Sequence, residues 1–357
     1  MKAAVFQGLG EPLAIADLPL PQAGPGEIVL RVHYCGICGS DLHATQAGVF
    51  LVPNGTVLGH EFAGEVVESG SAAWKPGDMV TAVPNNACTE CVAAGFGRCK
   101  DDLGIMCPKN LITGFGLQYP GAYAEFVKVR SDEALRLPPE VRSREGSTVE
   151  PLAVGLHAVE KGQVNVGDRV LILGAGPIGL AVAIFAKLAG ARDVVISEFA
   201  PARREAATAL GATAVIDPGA DDVGEAFSRE TGGLPDVIFE CVGVPGLIQK
   251  CIDLSKTFGR IVVVGVCMVE DRVVPLSGTF KEVNIQFVLG YVSKNWRLVL
   301  DLLHSGRIDP RPMITDVVPL DGLPQAFEAL RKPTTQIKVL IAPRESLARS
   351  SVTTGFN

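Results

Sequence analysis

From about residue 155 onward the apolar positions gather into short runs separated by stretches of helical spacing. VLILG (170–174), VVIS (194–197), AVID (214–217), DVIFECV (236–242), RIVVVG (260–265) and NIQFVLG (284–290) are six candidate strands. Each is nearly all apolar, the text expected of a parallel strand covered on both faces. Helical stretches such as PARREAATAL (201–210) fill most of the gaps. Strands joined by right-handed helical crossovers predict an α/β fold, a doubly wound six-stranded parallel sheet. The first 150 residues are strand-and-turn text: IVLRVHYC (28–35) and FAGEVVESG (62–70) are short, β-branched and bounded by Gly or Pro. Between about 85 and 121 the chain is rich in Gly, Cys, Asn and Asp, an irregular lobe whose length suggests that something other than an apolar core holds it. After 290 the pattern is mixed helix and loop, ending in QIKVLIA (336–342), a strand expected to rejoin the first domain. The predicted domains are 1–154, 155–292 and the returning segment 293–357.

One stretch has the length of a membrane span, VLILGAGPIGLAVAIFAKLAG from Val170 to Gly190. Gly174, Gly176, Gly179 and Pro177 interrupt it after a β-type run, and Lys187 lies in its second half, so a strand, a tight turn and a packed helix explain it better. The turn Gly174-Ala175-Gly176-Pro177-Ile178-Gly179 has the chemistry of a dinucleotide site. Glycine lets the backbone turn sharply and approach a pyrophosphate, and the helix N-terminus offers amides to the phosphates. The next strand ends Ile196-Ser197-Glu198, 22 residues beyond Gly176, which places a carboxylate where adenosine ribose hydroxyls should lie. A carboxylate accepts bonds from both hydroxyls and repels a 2′-phosphate, so NAD is expected. Arg203 and Arg204 keep NADP as the alternative, because a nearby guanidinium can accept that phosphate. Val242, Val266 and Leu289, at the ends of later strands, complete the candidate cofactor-binding set.

Composition narrows the class. The 357 residues are 47% hydrophobic and 20% charged, which excludes a disordered chain. A net charge of −7 argues against nucleic-acid or anionic-membrane partners, both of which select basic surfaces. Nine is an odd number of cysteines, and MKAAVFQGLGEP reaches Gly and Pro before any apolar run forms, so reduced thiols in a cytoplasm, some of them on metal, are expected. Cys38, His60, Glu61 and Glu150 are the candidate catalytic metal ligands, since zinc takes Cys, His and carboxylate donors and a catalytic site leaves one position open. From spacing alone a surface turn at Gly59-His60-Glu61 and core thiols at Cys35 and Cys38 remain open alternatives.

The motifs GICGSDLH, GHEFAGEVVESG, KPGDMV, VEPLAVGLHAV, GAGPIG and Glu240-Cys241-Val242-Gly243 together run over nearly the whole chain. In these the sequence resembles the zinc-dependent medium-chain dehydrogenases/reductases, the family of alcohol, sorbitol, butanediol and threonine dehydrogenases. The resemblance implies a mainly β GroES-like catalytic domain beside the Rossmann domain. It also implies a catalytic zinc held by Cys38, His60 and Glu150, with Glu61 a ligand directly or by exchange with water. Ser40 would bond the substrate hydroxyl and pass its proton through the nicotinamide ribose to His43, and Asp41 would orient His60. For His43 a plain surface histidine, and for Asp41 a helix cap, are the alternatives.

A thiolate and one carboxylate already neutralise a zinc ion. Two carboxylates would leave the ligand set negative and blunt the acidification of a bound alcohol, so Glu61 and Glu150 are expected to alternate as direct ligands. The family also carries a structural zinc in the cysteine-rich lobe. Here the spacing departs, with Ala94 where the third cysteine belongs, and Cys88, Cys91, Cys99 and Cys107 are either a rearranged zinc site, a lobe without metal, or a disulfide. Cys241, Cys251 and Cys267 read as core residues. The expected activity is an NAD- and zinc-dependent interconversion of a secondary alcohol, diol or polyol with its ketone. A zinc-free quinone or enoyl reductase of the same fold, or a non-catalytic dinucleotide-binding protein, is the alternative. The resemblance further implies a homodimer or homotetramer joined through the cofactor domains.

Overall fold

The computed structural model describes residues 1–46, 52–84, 120–332 and 335–344. The four cysteines Cys88, Cys91, Cys99 and Cys107 lie outside them. The chain divides into two units, one of residues 1–150, 291–307 and 314–357, the other of residues 151–290 and 308–313.

In the first unit, β1 (Lys2–Val5) and β2 (Ala14–Asp17) pair antiparallel. The main sheet begins with β3 (Glu27–Gly36), followed by helix α1 (Gly39–Ala44), β4 (Glu61–Ser69), β5 (Met79–Ala82), β6 (Phe126–Arg130) and β7 (Ala134–Arg136). β3 and β4 run antiparallel, with Gly36 opposite Glu61 and Ile28 opposite Ser69. Their inward positions, among them Leu30, Val32 and Val66, join Phe6, Tyr123 and Phe327 in a core from which water is excluded. Each fully buried aliphatic side chain there contributes about 1.5–3 kcal/mol. Two further helices, α2 (Ser143–Gly146) and α3 (Val149–Lys161), follow, and Glu150 sits in the first turn of α3.

The second unit carries β8 (Arg169–Leu173), α4 (Pro177–Leu188), β9 (Asp193–Ser197), α5 (Pro201–Ala209) and β10 (Ala214–Ile216). Then come α6 (Val223–Thr231), β11 (Val237–Glu240), α7 (Leu247–Leu254), β12 (Arg260–Val263), α8 (Pro275–Lys281) and β13 (Asn284–Phe287). All six strands are parallel in the order β10-β9-β8-β11-β12-β13, the doubly wound sheet expected, with the order reversing between β8 and β11. One expectation fails. β13 is exposed at every position, so its apolar text does not reflect cover on both faces. It is an edge strand whose other side has no neighbour among the described residues.

The chain then enters the first unit again with α9 (Ser293–His304), β14 (Ile314–Pro319), α10 (Leu323–Ala329) and β15 (Lys338–Ala342). β15, within the 336–342 segment expected to be a strand, lies between β14 and β3, and β14 falls where the text suggests only mixed helix and loop. Its sequence ITDVVP is half polar and ends in Pro, so no alternating signal marks it, and pairing with β15 decides its conformation. Among the described residues no helix is long and apolar enough to cross a membrane.

Candidate functional site

Antiparallel pairing of β3 with β4 brings two motifs together that are far apart in sequence. Cys38 follows the end of β3 and His60 immediately precedes β4, so the Gly36–Glu61 pair sets them side by side. Glu61 folds its carboxylate over Gly36, where a Cβ would come within 2.0 Å of its Oε2. Gly59 has φ +95, a left-handed conformation that aims His60 inward, and a Cβ there would strike the Tyr123 ring at 2.5 Å.

One ligand atom each from Cys38, His60 and Glu61 lies within 4.8 Å of the other two. Donors on a shared tetrahedral zinc are about 3.5 Å apart, so thiolate, imidazole and carboxylate here fit that ion with little movement. His60 and Glu61 are buried to 1% exposure. Burial opposes charge on His60, yet Asp41 and Cys38 beside it hold its pKa well above the usual imidazole value. Asp41 Oδ1 stands 3.4 Å from His60 Nδ1, and Asp41 Oδ2 accepts the Cys38 amide at 3.3 Å. The Ser40 hydroxyl donates to Cys38 Sγ at 3.2 Å. His43, on the same short helix α1, is half-buried, and burial lowers its pKa, which leaves it a neutral proton acceptor.

Glu150 is buried but falls outside the three-donor cluster. Burial raises its pKa to about 7, opposed by His60 and Lys338 and reinforced by Glu61. The Tyr291 hydroxyl also holds that pKa down, although it makes no hydrogen bond of ordinary geometry.

Lys338, which lies inside a strand of apolar text that gives no sign of a site, is the largest addition. Its ammonium is 2% exposed and donates to both Glu61 oxygens at 2.8 and 2.6 Å and to the Ile37 carbonyl at 3.0 Å. The ammonium enters the charge balance on which the expectation of alternating ligands rests. The thiolate and two carboxylates are matched by the ammonium and a divalent ion, so a second carboxylate no longer leaves the set negative. A buried lysine reveals itself only by its partner, and Glu61 is 277 residues away.

In the second unit, the turn after β8 has Gly174 at φ +95. A Cβ on Gly179 would meet the Gly174 carbonyl at 1.9 Å, so strand and helix α4 approach as closely as glycine allows. A Cβ on Gly176 would meet nothing within 4 Å, which leaves its backbone open to a pyrophosphate. Pro177 opens α4, whose first-turn amides, those of Ile178 and Gly179 among them, have no intrahelical acceptor. Glu198 accepts the Ala175 amide at 2.8 Å and the Ala200 amide at 2.9 Å, and so stands beside that turn. Arg204 is committed elsewhere: it donates to the carbonyls of Glu198 and Phe199 and pairs with Asp217 at 3.0 Å. Arg203 lies one position earlier on α5, partly buried. Val242, Val266 and Leu289 are exposed beyond the C-terminal ends of β11, β12 and β13, the end of such a sheet where ligands bind.

Known proteins match this arrangement. Residues 24–139 match the alcohol dehydrogenase GroES-like domain, and residues 177–305 the zinc-binding dehydrogenase domain. The chain is 33% identical to (R,R)-butanediol dehydrogenase of Bacillus subtilis, over 96% of this chain and all of that one. It is 34% identical to human sorbitol dehydrogenase over 92% of each. Among solved structures, 2R,3R-butanediol dehydrogenase from Bacillus subtilis superposes with a TM-score of 0.85 at 32% identity, covering 96% of this chain and 99% of that one. A zinc-binding dehydrogenase from Sinorhizobium meliloti bound to NADP gives the same score, identity and coverage. With both halves of the fold matched and about a third of the residues shared with full-length relatives, the chain belongs to the zinc-binding dehydrogenases that carry an alcohol dehydrogenase GroES-like domain.

Proposed function

We propose that this protein is an NAD-dependent, zinc-dependent dehydrogenase that interconverts a diol or polyol with the corresponding hydroxyketone. The observation that carries the reading is the convergence of partly buried Cys38 with buried His60 and Glu61 in a cluster of zinc-compatible donors. Cys38, His60 and Glu61 would hold a zinc ion, which would supply Lewis acidity toward an alcohol hydroxyl. The chain's own residues do the rest. Asp41 fixes the imidazole tautomer of His60, Glu150 stands by as an exchangeable carboxylate, and Ser40 and His43 form the expected exit for the hydroxyl proton. Glu198, set beside the glycine turn, favours a free 2′-hydroxyl, and Arg204 is already engaged, which together support NAD over NADP.

Relatives named for butanediol and sorbitol support a substrate with neighbouring hydroxyls. A homodimer or homotetramer joined through β13 is part of the same reading, as is a reducing, cytoplasm-like compartment.

The test is turnover of vicinal diols, polyols and simple secondary alcohols with NAD or NADP, with and without a zinc chelator. We expect the diols and NAD to lead and the chelator to abolish turnover. Cys38→Ser should lose zinc and activity yet bind NAD as before. Retained turnover in that variant overturns the metal assignment. Metal analysis of the same samples bears on the lobe: one zinc per chain argues against a structural site at Cys88, Cys91, Cys99 and Cys107.

A further inference from the structure

Tyr123 lies beneath the metal-ligand cluster and belongs to none of the motifs that announce it. Its ring is fully buried, edge-on to Phe327 with centroids 6.4 Å apart, in the space that a side chain on Gly59 would fill. Its hydroxyl meets two acceptors, Asp41 Oδ2 at 2.5 Å and the Gly36 carbonyl at 3.3 Å. A phenol has one proton, and at these distances it goes to the carboxylate. Burial and the neighbouring Asp41 push the phenol pKa well up, so Tyr123 remains a donor. Asp41 in turn presents its other oxygen to His60 Nδ1.

We propose that Tyr123 is a positioning residue for the zinc ligand His60, acting through Asp41: its hydroxyl clamps one carboxylate oxygen and thereby aims the other at the imidazole. Without the phenol, Asp41 Oδ2 keeps only the long contact to the Cys38 amide. The carboxylate can then turn, and the imidazole loses its fixed tautomer and direction. Outer partners of this kind alter metal affinity by about 10–100-fold when they touch the ligand. Tyr123 is one bond further out and should act at the lower end of that range. The proposal rests on the zinc reading above, toward which it assigns a role to a residue outside the ligand set.

The test is competition of a chromophoric chelator for zinc in wild type, Tyr123→Phe, Asp41→Asn and the double variant, with Cys38→Ser giving the background from any other metal site. Phe keeps the ring and its packing and removes only the hydroxyl. We expect Y123F to hold zinc about tenfold more weakly than wild type, and to add less than about twofold in the D41N background, because the effect passes through Asp41. Equal retention in Y123F and wild type overturns the proposal, and so does the same tenfold loss in both backgrounds, which would mark a packing role alone. Should D41N fail to fold, the NMR resonance of the His60 Nδ1 proton in Y123F decides: a displaced signal supports the clamp and an unmoved one overturns it. If wild type and C38S take up the same zinc, the metal reading itself falls, an outcome separate from a failure of Y123F.

Discussion

Glu150 is a carboxyl enclosed by groups of both signs, and burial holds its pKa near 7 against 4.5 for a free side chain. Because the folded value is the higher one, folding takes up a proton between those two pH values, and the metal-free protein loses stability as pH rises through that window. The cost is at most about 3.5 kcal/mol, from about 1.4 kcal/mol per pH unit over the gap. Glu150→Gln removes the charge while keeping the shape. Thermal melts of the metal-free variant should exceed wild type at about pH 8 and coincide with it near pH 4. A wild-type advantage at the higher pH would mean that Glu150 is stabilised as a carboxylate even without the ion. The same residue shows how a site divides its labour: Glu61 is held by Lys338, whereas Glu150 faces a tyrosine hydroxyl without a settled bond.

At the scale of elements, the glycine turn separates two kinds of constraint. Gly179→Ala would drive a methyl into the Gly174 carbonyl and should destabilise the second unit by about 2 kcal/mol or more, read as a lower melting temperature without any cofactor present. Gly176→Ala meets no protein atom and should melt like wild type while its KM for NAD rises about tenfold or more. A normal KM in G176A would show that no pyrophosphate approaches that backbone. These positions were legible from the text because the turn, its flanking strand and Glu198 lie within thirty residues. The six parallel strands were legible for a related reason: full burial leaves an unbroken apolar run. What escaped depends on distant pairing. Tyr123 and Lys338 take their meaning from Asp41 and Glu61, 82 and 277 residues away, and β14 is a strand only because β15 pairs with it. No local pattern encodes such partners.

For the whole molecule, the apolar edge of the second unit carries the consequence. β13 exposes Phe287 at 64% and Ile285 at 37%, and the adjoining helix α8 exposes Phe280 at 78%. Bare strand edges of this kind invite pairing with another chain, and natural proteins leave them so where they mean to be paired. A twofold contact with β13 alongside its own copy would cover them. On the proposed reading of a homodimer or homotetramer joined through β13, Phe287→Lys should give monomers by light scattering after gel filtration, with little change in far-ultraviolet circular dichroism. An unchanged mass would place the interface elsewhere. The position of Lys338 bears on how such an enzyme is made. The ammonium that balances Glu61 arrives on β15, the final described strand, which slots beside β3 in the interior of its sheet. A nascent chain that has not yet added β15 therefore carries every donor of the cluster but not their counter-charge, and the finished pocket for the ion comes into being only once that strand has joined its sheet.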